Sequence, residues 1–184
     1  MKRPEGACLV NDPALPGLAH GTVQLAEWTP RWTELFEQEA ARLRVALGSL
    51  ALAIEHYGST SVPGLVAKPL LDILVGGPEA TDAAPYAAAL ALLGYDYAAH
   101  AGVPEHLVFG RGVARTHLVH VVRYGGGAWH RALAFRDALR ADAALRDTYG
   151  ALKRELAQHH GGERTRYTAA KSAFVARVLA ESAR

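Results

Sequence analysis

The chain has 184 residues, 50% of them hydrophobic and 21% charged, with a formal net charge of +2 at pH 7. Such a length suits one domain able to bury a sizeable core, and the apolar content excludes a disordered chain. The charge is too small for the strong basic stripe of a nucleic-acid binder, and no window reaches the roughly 20 apolar residues that a membrane-crossing helix needs.

Residues 1–20 hold Pro4, Gly6, Pro13, Pro16 and Gly17 without a sustained period, so a flexible N-terminal arm is expected there and a single domain over 21–184. Lys2 and Arg3 are followed by Pro4, Glu5 and Gly6 where an export signal would place its apolar core, and the expected location is the cytoplasm. Cys8 is the only cysteine, which rules out an intrachain disulfide, and with no base or metal partner near it in sequence it reads as an incidental thiol.

Residues 23–26 alternate like a short strand. Thr29 then suits an N-cap and Pro30 a first helical turn, with Trp32, Leu35, Phe36, Ala40, Leu43 and Leu47 at helical spacing up to Gly48. Residues 50–57, closed by Gly58, and 69–75, closed by Gly76-Gly77-Pro78, read as buried strands. A helix over about 83–93 stops at Gly94, a short strand follows over 95–98, and 107–109 with 116–123 form a hairpin around Gly110, Arg111 and Gly112. From Gly127 the pattern is helical in three pieces, broken near Ala141 and at Gly161-Gly162. The order predicts an α/β (α+β) fold with a C-terminal helical cluster.

The run Gly58-Ser59-Thr60-Ser61-Val62-Pro63-Gly64 and the strand Lys68-Pro69-Leu70-Leu71-Asp72-Ile73-Leu74-Val75 carry the chemistry. The first of them lacks the Gly-Lys-Ser/Thr ending of a Walker loop. Its small residues can still offer amides and the hydroxyls of Ser59, Thr60 and Ser61 to a phosphate, or form an ordinary polar turn. Asp72 in so apolar a strand needs a partner, a metal or a solvated cleft. Lys68 is placed to offset phosphate charge, in a chain with 16 arginines and four lysines. His117 and His120 lie three apart on a strand and should face opposite ways, so at most one meets Asp72 as ligand, proton carrier or phosphate contact. His56 is a weaker candidate, and His159-His160 suit a helix C-terminus. Arg111, Arg115 and Arg123 on the hairpin, and Arg131, Arg136, Arg166 and Lys171 later, are candidates to line an anionic cleft.

The residues 54–65 and 68–75, the strand around Thr116-His117 and His120-Val121-Val122, the runs 133–140 and 152–156, and Tyr167-Thr168 with Lys171 and Phe174 together resemble the GrpB family over about residues 22–182. The resemblance implies a nucleotidyltransferase-like fold: a small mixed sheet flanked by helices, with a nucleotide cleft formed by the Gly-Ser turn and the acidic strand. In that superfamily two acids two residues apart, and a third on a neighbouring strand, hold magnesium. Here Asp72 stands alone between Leu70 and Leu74, and His120 takes the third acid's place.

The expected function is therefore binding of a nucleotide or phosphorylated metabolite at Gly58, Ser59, Thr60 and Ser61, with Lys68 and Arg115 assisting. Asp72 would serve as metal ligand or base in magnesium-dependent nucleotidyl or phosphoryl transfer, with His120 and His117 as partners. The alternative is a noncatalytic accessory domain linked to CoA synthesis, since some relatives implied by the resemblance are fused to dephospho-CoA kinase. A protein-interaction domain leaves Asp72 unexplained.

Overall fold

The computed structural model describes residues 12–19, 24–99, 103–160 and 164–182, with the backbone alone at 159–160, 164–170 and 182. Helix α1 (Arg31–Leu47) is followed by strands β1 (Ala53–Tyr57) and β2 (Leu71–Gly77), helix α2 (Ala84–Ala91), strands β3 (Tyr95–Tyr97), β4 (Leu107–Arg111) and β5 (His117–Arg123), and helices α3 (Gly127–Ala141), α4 (Ala143–His160) and α5 (Arg164–Ser182). The Thr29 hydroxyl accepts the Arg31 N–H at 3.3 Å, as a cap ahead of Pro30 should, and Gly48 ends α1 at φ +51°.

The five strands form one mixed sheet in the order β1-β2-β5-β4-β3, with β2 and β5 parallel and the other neighbours antiparallel. Central β2 is covered on both faces, which is why its sequence is nearly continuous in apolar residues rather than alternating. Leu71, Ile73, Val75, Val119 and Val121 pack under α1 and α2. On the opposite face Leu74 and Val122 meet Ala128 and Trp129 of α3. A third core joins Val62 and Leu65, just past the Gly58 turn, to Leu139, Tyr149, Phe174 and Val178 of the helical cluster. None of the helices, among the described residues, is long and apolar enough to cross a membrane.

The arm expected over residues 1–20 is corrected for 12–19, which lie docked. Leu15 and Leu18 are buried, the Trp32 indole donates to Ala14 O at 2.9 Å, Arg31 pairs with Asp12 at 2.8 Å, and Leu18 bridges Arg115. Prolines hid these apolar anchors by breaking their period. Cys8 and Val23 fall outside the described residues; within the expected short strand, Ala26 makes an isolated bridge to Ala67.

Candidate functional site

Gly58 follows β1 at φ +72° and ψ −176°, a conformation almost closed to residues with a side chain. In the β1–β2 register Tyr57 stands opposite Asp72, so the chain leaves β1 directly over that carboxylate. A Cβ on Gly58 would lie 2.5 Å from Asp72 Oδ2 and 2.7 Å from its Cβ. Residues Ser59–Ser61 then form a single 3-10 turn.

Of the three hydroxyls in that turn, two are engaged by the fold. Thr60 is 1% exposed; its hydroxyl lies 3.0 Å from His56 Nε2 and donates to Leu70 O at 3.4 Å. Ser61 is also buried and donates to Gly58 O at 2.7 Å. Only Gly58 and Ser59 of the expected phosphate-gripping group line a cavity. Arg140 holds the turn from α3, donating to Ser61 O through Nε at 3.0 Å and Nη2 at 2.8 Å. Arg140→Ala is expected to cost about 1–2 kcal/mol in urea unfolding, because two charge-assisted donors to one carbonyl are lost.

The cavity, of about 380 Å³, lies between the α3 face of the sheet and helices α3 and α5. Among its lining residues Asp72 is the only carboxylate, with its side chain 27% exposed. His120 stands opposite Leu74 in the β2–β5 register, two positions along from Asp72 on the same sheet face. Its Nε2 lies 3.7 Å from Asp72 Oδ1, and that nitrogen is buried without a hydrogen-bond partner. On the other side of the ring, His120 Nδ1 is 3.3 Å from Nδ1 of His106, which also lines the cavity. One of those two nitrogens must donate and the other accept, so the pair shares a proton. Burial, then the neighbouring His120, pushes His106 down to about 4, so it is a neutral ring near pH 7. A neutral imidazole can accept a proton on one nitrogen while releasing one from the other, and the row Asp72, His120, His106 opens on the cavity at both ends.

Positive charge enters from the helices. Arg131, Arg136 and Lys171 line the cavity. Arg131 meets Glu105 at 2.5 Å, and Arg136 is held by Glu55 at 2.8 Å, Asp137 at 2.7 Å and His56 O at 3.0 Å. Glu55, on the cavity side of β1, is therefore turned to Arg136. Behind the wall Lys153, 2% exposed, donates to Val66 O at 2.5 Å and sits 5.5 Å from the Tyr149 ring centroid. Burial, then Lys171, holds its ammonium well below the ordinary lysine range, with Asp72 opposing and Lys68 adding to the depression. Lys68 and Lys171 thus both act on the charge of Lys153.

Other expected residues lie elsewhere. His117 faces α1 and α2, where Arg111 Nη2 approaches its Nδ1 at 2.8 Å and Tyr95 meets its ring edge-on. Arg111 Nη1 lies 2.7 Å from Glu39 Oε1, although no N–H of that nitrogen is aligned for a hydrogen bond, so the contact is chiefly one of charge. Strand alternation puts His117 on the face away from Asp72, and a catalytic role there is corrected to a structural one. Arg115 is paired with Asp96 at 2.5 Å across the β3–β4 edge and does not line the cavity; Lys68 does not line it either. His56 stacks on Phe36 at 4.6 Å as a core residue. The side chains of Arg166, His159 and His160 lie outside the described residues. His106 escapes sequence reasoning because its segment carries no period, and nothing local in the sequence connects it to a residue 14 positions later on the paired strand.

The donor set does not fit the three-acid magnesium site that the resemblance leads one to expect. Among the described residues no group of three His, Cys, Asp or Glu side chains could hold a metal, and Asp72 has no second carboxylate beside it in the cavity. Magnesium prefers several hard oxygens in octahedral array, and Asp72 alone falls short of that.

Comparison with known proteins agrees with this architecture. The chain is 41% identical over 163 residues to the UPF0157 protein of Halalkalibacterium halodurans, covering 87% of this chain and 82% of that one. The crystal structure of the conserved protein GrpB from Enterococcus faecalis superposes with a TM-score of 0.78 at 37% identity, over 86% of this chain and 96% of that one. A dephospho-CoA kinase of Mycolicibacterium paratuberculosis is 28% identical over 180 residues, covering 84% of this chain but 44% of the kinase. Residues 22–181 match the family described as GrpB protein, and the chain belongs to that family.

Proposed function

We propose that the cavity binds a nucleotide or phosphorylated metabolite and that Asp72, with His120 and His106, handles a proton of the bound molecule. The observation that carries this reading is Asp72 itself, a lone carboxylate exposed at the cavity floor beneath Gly58 and faced by an otherwise unpartnered His120 Nε2. A phosphate has no hydrogen to offer the Asp72 oxygens and needs donors, so the anionic end belongs with Lys171 and the Ser59 hydroxyl. Asp72 is then left to accept a hydroxyl or N–H of the ligand. A carboxylate in that position is a general base for an acceptor hydroxyl, the proton-removal step that phosphoryl or nucleotidyl transfer requires.

A noncatalytic binding module is the second reading, favoured by the absence of a second carboxylate among the cavity-lining residues. The dephospho-CoA kinase relative, more than half of which lies outside the match, suits a module acting beside CoA synthesis. Thermal-shift and calorimetric titration with nucleoside mono-, di- and triphosphates, with and without magnesium, tests both. Asp72→Asn is expected to fold and to weaken binding at least about tenfold, the loss of one charge-assisted hydrogen bond. Unchanged affinity for every bound ligand in that variant would refute the site. Phosphate or pyrophosphate release that disappears in Asp72→Asn supports transfer; tight binding with no release under any acceptor favours the module.

A further inference from the structure

The sheet side of the cavity carries Ser59, Asp72 and His106, whereas the helices bring the cations Arg131, Arg136 and Lys171 and, beside them, a wall of four apolar groups, Ala132, Phe135, Val175 and Leu179. None of those four wall side chains has a hydrogen-bond donor or acceptor. Nor does the helical core require all of them. On α5 it is Phe174 and Val178 that close the core, while Val175 and Leu179 remain half-buried and face the cavity. Lys171, Val175 and Leu179 recur every fourth residue, so one stripe of α5 runs from a cation to apolar groups about 6 and 12 Å further along the helix. Tyr149, which lines the same cavity, is held in place by Phe135 edge-on at 5.3 Å and by Phe174 stacked at 4.9 Å. This α5 stripe, a cation followed by apolar groups along one axis, is complementary to a molecule with one anionic and one greasy end.

We infer that the ligand is an amphipathic phosphate ester, with its phosphate at Lys171 and Ser59 and an apolar body laid along Val175, Leu179 and Phe135. This rests on the phosphate-ligand reading above and narrows it. A nucleotide in the same position would set its base along the apolar stripe of α5, and the guanidinium groups that share the wall are already engaged, Arg131 by Glu105 and Arg136 by Glu55 and Asp137, so base identity would go unselected, because discrimination of that kind needs polar partners left for the ligand.

The test is calorimetric titration of the intact protein with methyl, hexyl and phenyl phosphate, hexanol, and the monophosphates of adenosine, guanosine, cytidine and uridine. Hexyl or phenyl phosphate should bind at least about tenfold more tightly than methyl phosphate, since several buried carbons are added, and the nucleotides should agree within about threefold. Leu179→Asn and Val175→Asn, both at half-buried cavity positions, should abolish the gain of hexyl over methyl phosphate. Equal affinity for methyl and hexyl phosphate overturns the inference while leaving the phosphate reading standing, as does a preference above about tenfold for one base. Binding of hexanol with no binding of any phosphate ester overturns both.

Discussion

Gly58→Ala is expected to destabilise the protein by about 2–5 kcal/mol and to abolish ligand binding, a large effect for a single methyl group. Two costs combine. The backbone at φ +72° and ψ −176° lies in a region that only glycine occupies readily. The added Cβ also meets the Asp72 carboxylate at 2.5 Å and its Cβ at 2.7 Å; the second contact involves an atom fixed to β2 that cannot swing away. Gly94→Ala is the control, because Gly94 has a similar φ of +81° but nothing within 4 Å of where its methyl would sit, so it carries the conformational cost alone. Chemical denaturation of both variants separates the two costs. If Gly58→Ala costs no more than Gly94→Ala, the close approach of the turn to Asp72 is wrong, and with it the position of the cavity floor.

This contact also explains what can be read along the chain and what cannot. Gly58 and Asp72 are 14 positions apart, yet each carries a local signature: a glycine closing a strand, and a charge where only apolar residues belong. The opposed faces of His117 and His120 follow from the two-residue period of a strand, and the structure places them so. The inward turn of the Thr60 and Ser61 hydroxyls is invisible in the sequence, since it depends on His56, Leu70 O and Gly58 O converging on a 3-10 turn whose course no composition encodes. Cavity walls are equally hidden. Phe135 and Val175 read as ordinary core positions until α3 and α5 are packed against the sheet, and only then does it emerge that Phe174 closes the core and Val175 does not. Local chemistry is legible because one residue's environment constrains it; the shape of the site is not, because it is a property of three segments meeting.

Acid should unfold this protein well before its carboxylates are protonated. His56 and His117 are both buried, and burial first, then nearby guanidinium groups, lowers them to about 4 and about 3; for His56 the Asp72 charge opposes, and for His117 Glu39 does. Between those values and 6.5 the unfolded chain binds protons on these rings while the native state does not. Stability must therefore rise with pH across that window and fall on acidification. Each imidazole contributes roughly 1.4 kcal/mol per pH unit, so these two between about pH 6.5 and 4.5 remove roughly 5 kcal/mol, comparable with the whole stability of many domains, and the half-buried His106, also lowered to about 4, adds to the fall. Glu39 adds to the fall at lower pH: burial would raise it, but Arg111 beside it holds it below its ordinary value, so its contribution disappears as the pH drops through the folded value. Lys153 extends the same slope upward, because a depressed ammonium leaves the unfolded chain with the extra proton until about pH 10.5. Above about pH 10 the two tyrosines oppose it, since burial, then Asp72 for Tyr57 and Glu39 for Tyr95, raises both phenols and the unfolded tyrosines ionise first. Urea midpoints should accordingly climb steeply from about pH 4.5 to 6.5, more gently from there to about 10, and then decline. His117→Gln, which cannot titrate, should flatten the acid slope by the equivalent of about one proton, and His56→Gln by another. A midpoint independent of pH between about 5 and 6.5 would mean that His56, His117 and His106 all accept protons in the folded state, and that the sheet faces the first two occupy are far wetter than the packing around Phe36 and Tyr95 allows.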